Sequence, residues 1–221
     1  MTSITAEMII TIDGPAGSGK STVAKQLAER LTVRFLDTGA MYRAVALAVV
    51  RSDVSESDTV AVAEIARRVQ IEFRDSALLL DGEDVTEKIR SPEVTAVSSI
   101  VAANPAVRQR LVELQREIGR SGSLVTEGRD QGSVVFPEAD FKFFLTATVD
   151  ARARRRHREL VAGGSSLTLA TVTTQLRQRD ERDENRAHAP MKPAPDAQIV
   201  DTSSLSIAEV VETLAAMVTA E

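Results

Sequence analysis

The chain has 221 residues, a net charge of −5 and no cysteine, which excludes disulfides and thiolate metal sites and argues against a general nucleic-acid binder. Its length fits one compact α/β domain with a small insertion, and with only 3% aromatic residues the core must be built from Val, Leu, Ile and Ala. Residues 1–7 lack the features of a signal peptide and no apolar run is long enough to span a bilayer, so a cytoplasmic protein without membrane or nucleic-acid partners is expected.

The first apolar run, residues 8–12, reads as a buried parallel strand. It leads into Gly14-Pro15-Ala16-Gly17-Ser18-Gly19-Lys20-Ser21, a full match to G-x-x-x-x-G-K-[ST], and then into helical periodicity over 21–31. Strand, Gly-rich turn and helix in that order are the context this phosphate-binding motif needs. The glycines let the backbone turn so that N–H groups point at the β- and γ-phosphates of a nucleoside triphosphate, and the helix N-terminus adds its positive end. Lys20 supplies a point charge, and the Ser21 hydroxyl is suited to Mg²⁺. With Thr22, these residues form the expected ATP-binding set.

A second strand, 33–36, is followed by Asp37-Thr38-Gly39-Ala40-Met41-Tyr42-Arg43 and a helix over 42–50. Thr38 offers a hydroxyl and Arg43 a planar fork to an anion. Asp37, at the end of the strand, is placed to hold a Mg²⁺-bound water. A helix over 58–69 precedes residues 71–85, where turn signals at Asp75-Ser76 and Asp81-Gly82 predict a small antiparallel meander. This meander belongs to an insertion over 51–104.

Helix 105–120 and strand 124–126 lead to Glu127-Gly128-Arg129-Asp130, which puts Arg129 at the C-terminal edge of the sheet, facing the ligand crevice. After strand 141–145, a helix over 151–161 carries Arg152, Arg154, Arg155, Arg156 and Arg158 and ends at Gly163-Gly164-Ser165-Ser166. Residues 151–166 read as a lid that closes arginines onto transferring phosphates. On a helix over 168–182, continued, Arg179, Arg182, Asp183 and Arg186 share one face. Strand 198–200 and helix 207–218 complete the chain. Five strands alternating with helices predict an α/β fold: a doubly wound five-stranded parallel sheet of the P-loop NTPase type, helices on both faces, with a core of residues 8–50, 105–150 and 167–221.

No Asn-Lys-x-Asp segment for reading guanine is present, and His157 and His188 look incidental. The residues alone leave open a small-molecule kinase acting on a nucleoside monophosphate, shikimate or gluconate, or a non-enzymatic ATP-sensing or RNA-associated module. Order and spacing narrow this. Ile12-Asp13-Gly14-Pro15 with the loop, Leu36-Asp37-Thr38-Gly39-Ala40-Met41-Tyr42-Arg43, Leu80-Asp81-Gly82-Glu83-Asp84-Val85, the stretch from Glu127 to Pro137 and the stretch from Arg179 to Arg186 together resemble the bacterial cytidylate kinases, of the nucleoside monophosphate kinase group.

The resemblance covers residue 8 to the C-terminus. It implies transfer of the γ-phosphoryl group of ATP to CMP or dCMP, with Mg²⁺, by a monomer, and an insertion that binds the monophosphate. By the same resemblance, Thr38, Arg43, Arg129 and Arg186 hold the acceptor phosphate, and Tyr42 joins the CMP-binding set. Ser99, Arg108 and Asp130 read the cytosine edge, and Arg179 and Asp183 lie near the ribose. Arg156 falls in the lid, and Lys20, Arg129, Arg156, Arg179 and Arg186 form the catalytic set.

Overall fold

Alternating apolar runs and polar helical segments bury strands between helices. The computed structural model describes residues 7–74, 77–186 and 188–219. In chain order the elements are β1 (Ile9–Asp13), α1 (Lys20–Leu31), β2 (Arg34–Asp37), α2 (Thr38–Arg51), α3 (Thr59–Arg68), β3 (Ile71–Arg74), β4 (Ala77–Leu80) and β5 (Glu83–Asp84). A 3-10 turn (Lys88–Arg90), α4 (Pro92–Val101), α5 (Pro105–Gly119), β6 (Leu124–Gly128) and a π-helical turn (Gln131–Val135) follow. Then come β7 (Phe141–Thr146), α6 (Val149–Ala162), α7 (Leu169–Glu184), β8 (Gln198–Asp201) and α8 (Ile207–Thr219). The chain divides into two compact units, one of residues 1–36 and 119–221, the other of residues 37–118.

The first unit is built on the expected five-stranded parallel sheet, in the order β2-β6-β1-β7-β8. β1 is central and pairs in parallel with β6 and β7, Asp13 lying opposite both Gly128 and Phe144. The strands therefore end level, and the loops leaving β1 and β6 start side by side, where ligands of such sheets bind. Ile10, Ile12, Val23, Leu27, Val125, Phe143, Leu145 and Leu214 form its core, with α1 packed on α8. Gly14 leaves β1 at φ 145°, and a Cβ there would sit 2.1 Å from the Leu145 carbonyl oxygen, so only glycine fits.

In the second unit, α2 packs against α4 and the 3-10 turn. The expected meander is β3-β4-β5, antiparallel, with Ile71 opposite Leu80 and Leu80 opposite Glu83. Asp81 and Gly82 turn its second corner at φ 51° and 84°. The turn expected at Asp75-Ser76 lies outside the described residues. The expected insertion, 51–104, falls inside this unit, which also takes in α2 and most of α5.

The structure departs from the sequence-based expectations in three places. Helix α2 starts at Thr38 rather than Tyr42, because the Asp37 carboxylate caps it, accepting the Ala40 N–H at 2.9 Å. Helix α4 was not expected; its sequence, rich in β-branched residues, is weakly periodic, yet Ser91 caps it and Pro92 opens it. Helix α7 stops at Glu184, so Arg186 lies beyond it, and Arg182 is exposed rather than sharing a face with Asp183. Among the described residues, no helix is long and apolar enough to cross a membrane.

Phe143 is 1% exposed at the centre of the core. Truncation to Ala should cost about 3–5 kcal/mol of unfolding free energy, read from the midpoint of a urea titration.

Candidate active site

The loop from Gly14 to Gly19 runs from the end of β1 into α1, whose first residues are Lys20, Ser21 and Thr22. Gly14, Pro15, Ala16 and Ser18 are buried, while Ser21 and Thr22 are exposed. Its carbonyl groups are held from outside. Pro15 O accepts from Lys20 Nζ at 3.3 Å, and Ala16 O from Arg152 Nη1 at 3.0 Å. Ser18 O accepts from the Thr202 hydroxyl at 3.0 Å and from Arg155 Nη1 at 3.4 Å.

Beside the loop stands Glu127, near the end of β6. One of its oxygens accepts from the Ser21 hydroxyl at 2.8 Å, and the other lies 3.7 Å from Lys20 Nζ. Burial, with the nearby Arg129 charge, pulls the Lys20 ammonium down to about 8, although Glu127 favours its charged form. Glu127 has no place in the expected site, although an acidic residue closing a strand beside a phosphate loop is a signal for one.

Arg129 leaves β6 directly, and its Nε donates to Asp183 Oδ2 on α7 at 2.8 Å. Arg186 Nη2 lies 3.8 Å from the other Asp183 oxygen. Burial favours the neutral acid at Asp183, but Arg129, Arg179 and Arg186 outweigh it and hold the carboxyl below the usual carboxylate range. The first unit thus brings Lys20, Arg129, Arg179, Asp183 and Arg186 into one electrostatic cluster. Asp130, 4% exposed, follows Arg129.

Sequence reasoning also missed Asp180. It accepts from Arg152 Nη1 at 2.6 Å, both side chains are nearly inaccessible, and Arg152 Nε donates to Ala147 O at 2.9 Å. Among the lid arginines, Arg152 and Arg155 are thus committed to the loop carbonyls. The Arg156 side chain is 42% exposed and pairs with Glu159. Nothing local announces the pairing of Arg152 with Asp180, because the two are 28 residues apart.

The second unit carries Asp37, Thr38, Tyr42, Arg43, Ser99 and Arg108. Thr38, buried, opens α2, and Asp37 caps that helix. Arg43 donates to the Thr95 hydroxyl at 2.7 Å and to Ile89 O at 3.4 Å. Arg108, 5% exposed, lies 5.8 Å above the Tyr42 ring, a cation–π contact. Ser99 is half-buried on α4.

The family model described as "Cytidylate kinase" matches residues 10–220. A protein of Symbiobacterium thermophilum named cytidylate kinase is 46% identical over 217 residues, covering 96% of each chain. One of Paraburkholderia phymatum, with the same name, is 48% identical over 204 residues, covering 92% of this chain and 90% of its own. Among solved structures, an uncharacterized protein from Eubacterium ventriosum shares the fold with a TM-score of 0.54 at 13% identity, covering 97% of this chain and 100% of its own.

Asp180→Asn leaves the buried Arg152 charge without its counterion and should cost about 3–5 kcal/mol of unfolding free energy. The pair Arg152→Met and Asp180→Leu together should recover part of that loss, both changes being read by urea titration.

Proposed function

The chain belongs to the cytidylate kinase family, and we propose that it transfers the γ-phosphoryl group of ATP to CMP or dCMP, giving ADP and CDP or dCDP. The observation that carries this reading is the family match, which spans both the phosphate loop and the Arg129-Asp130 turn. The arginine cluster around Asp183 supports it, since a second anion beside ATP needs such cations.

The attacking group is the acceptor's own phosphate, close to a dianion at neutral pH because its second pKa is about 6. It needs no general base, and the barrier is the meeting of two polyanions. The loop N–H groups from Gly14 to Gly19 and the start of α1 hold the triphosphate, and Lys20 neutralises its β- and γ-oxygens. Arg129, Arg179 and Arg186, with Arg156 from the lid over 151–166, face the charge that spreads over the transferred group. Thr38 and Arg43 join Arg129 and Arg186 on the acceptor phosphate, the region 51–104 serving as the monophosphate-binding insertion. Asp130 accepts from the cytosine amine and Arg108 donates to its ring acceptors, beside Tyr42 and Ser99. Uracil would set its O4 acceptor against the Asp130 carboxylate. Arg179 and Asp183 attend the ribose.

A kinase of this family uses ATP with a divalent metal ion. The donor set fits Mg²⁺ held largely by phosphates and water. The Ser21 hydroxyl and a Glu127 oxygen are hard ligands 2.8 Å apart. Among the described residues, no group of three or more acidic or histidine side chains offers a metal site of its own. Ser21 and Glu127 would hold the ion, with Asp37 acting through water. When bound, it would supply positive charge that offsets the negative charge developing on the transferred group.

A coupled assay of ADP release with CMP, dCMP, UMP, AMP, GMP, shikimate and gluconate tests the reading. CMP and dCMP should be turned over well above UMP and the rest inert, and equal rates with UMP or activity on a non-nucleotide acceptor would overturn it. Lys20 adds a pH signature. Above about 8 the free enzyme loses the proton that the bound triphosphate requires. The ATP dissociation constant should therefore rise about tenfold per pH unit above that point, and Lys20→Met should abolish the slope, as isothermal titration would show.

A further inference from the structure

Asp13 is the last residue of β1 and immediately precedes the phosphate loop. Its backbone sits opposite Gly128 in the sheet, the residue before Arg129. Its side chain, in a residue 3% exposed, reaches the other end of the same segment. Oδ1 accepts the Gln131 N–H at 2.9 Å, and Oδ2 accepts the Gly132 N–H at 2.9 Å. These N–H groups open the π-helical turn, where no intrahelical carbonyl serves them. Each oxygen thus accepts one backbone N–H, an arrangement that the amide of Asn, with one acceptor and one donor, cannot reproduce.

Two further contacts hold the turn against β1. The Thr126 hydroxyl donates to Gln131 Oε1 at 2.9 Å. A Cβ at position 132 would lie 2.8 Å from Thr11 Oγ1, so only glycine allows this approach without displacement. Arg129 and Asp130 therefore form a two-residue span fastened at both ends by one residue, through its backbone at Gly128 and its carboxylate at residues 131 and 132.

We propose that Asp13 is a positioning residue that sets Arg129 and Asp130 relative to the phosphate loop, and that through Asp130 it governs the choice of cytosine over uracil. The proposal rests on the reading of Asp130 as the residue that accepts from the cytosine amine.

The experiment compares the full-length protein with its Asp13→Asn and Asp130→Ala variants. It measures kcat and KM for CMP, UMP and ATP, with thermal unfolding to check the fold. In Asp13→Asn one carboxylate acceptor becomes an NH₂ group facing a buried N–H. The KM for CMP should rise about tenfold, the KM for ATP should stay within about twofold, and the ratio of kcat/KM for CMP over UMP should fall about tenfold.

If Asp130→Ala loses this discrimination and Asp13→Asn keeps it, the positioning role is wrong. Equal rises in both KM values also overturn it, because general damage to the sheet would spare neither substrate. If Asp130→Ala keeps full discrimination, the reading of Asp130 fails, and the specificity role of Asp13 with it. Should Asp13→Asn not fold, Gly132→Ala displaces the same turn through Thr11 Oγ1 and should reproduce the CMP-selective loss. Unchanged CMP kinetics in that folded variant would overturn the proposal.

Discussion

A loop that turns its N–H groups toward a polyphosphate turns carbonyl groups away from it, and those carbonyls need partners before any ligand arrives. Lys20 serves Pro15 O, Arg152 serves Ala16 O, and Thr202 with Arg155 serves Ser18 O. The arginine and lysine bonds are charge-assisted, the stronger kind. They tie the loop to α6 and to the end of β8, so both elements help to fix the N–H cradle. Part of the arginine excess is thereby accounted for as scaffolding.

The remaining arginines pose the opposite problem. Several cations gathered for a phosphate repel one another when no phosphate is present, and burial adds a desolvation penalty. The fold answers with carboxylates: Asp183 stands among Arg129, Arg179 and Arg186, and Glu127 stands beside Lys20, just as Asp180 balances the scaffolding Arg152. A phosphate dianion carries more charge than a carboxylate and offers more acceptor oxygens. In the proposed mechanism it competes with Asp183 for guanidinium groups that are already in place, so little reorganisation remains for the moment of transfer.

What was legible in the sequence follows from how local each constraint is. The segment from Gly14 to Ser21 could be read directly, because the required backbone path, point charge and hydroxyl all lie within one turn and its flanks. The parallel strands were legible as apolar runs, whereas the cap that starts α2 at Thr38 and the cap-and-proline start of α4 lay in single residues outside the periodicity. The charged run from Arg179 to Arg186 presents a different face from the one its spacing implies on an unbroken helix. The chain instead breaks after Glu184, where Asp183 O accepts from Met191 N at 2.8 Å. Arg152 on Ala16, across 136 residues, and Thr202 on Ser18, across 184, depend on the folded sheet and leave no local trace.

Two buried aspartates show how environment sorts similar groups into different tasks. Burial pushes both carboxyls upward. At Asp13 the two backbone N–H bonds, opposed by the Asp130 charge, leave it raised to about 7. At Asp183 the surrounding guanidinium groups reverse the direction. An ion pair can be exchanged when a stronger anion enters, because the guanidinium simply changes partner. The Asp13 carboxyl is held instead by backbone N–H groups at 2.9 Å, which belong to the fold and carry no charge to be drawn off by an entering anion. In the proposed mechanism the arginine cluster is therefore held by charge pairs that a phosphate can displace, and the turn that carries Arg129 and Asp130 by backbone hydrogen bonds to Asp13.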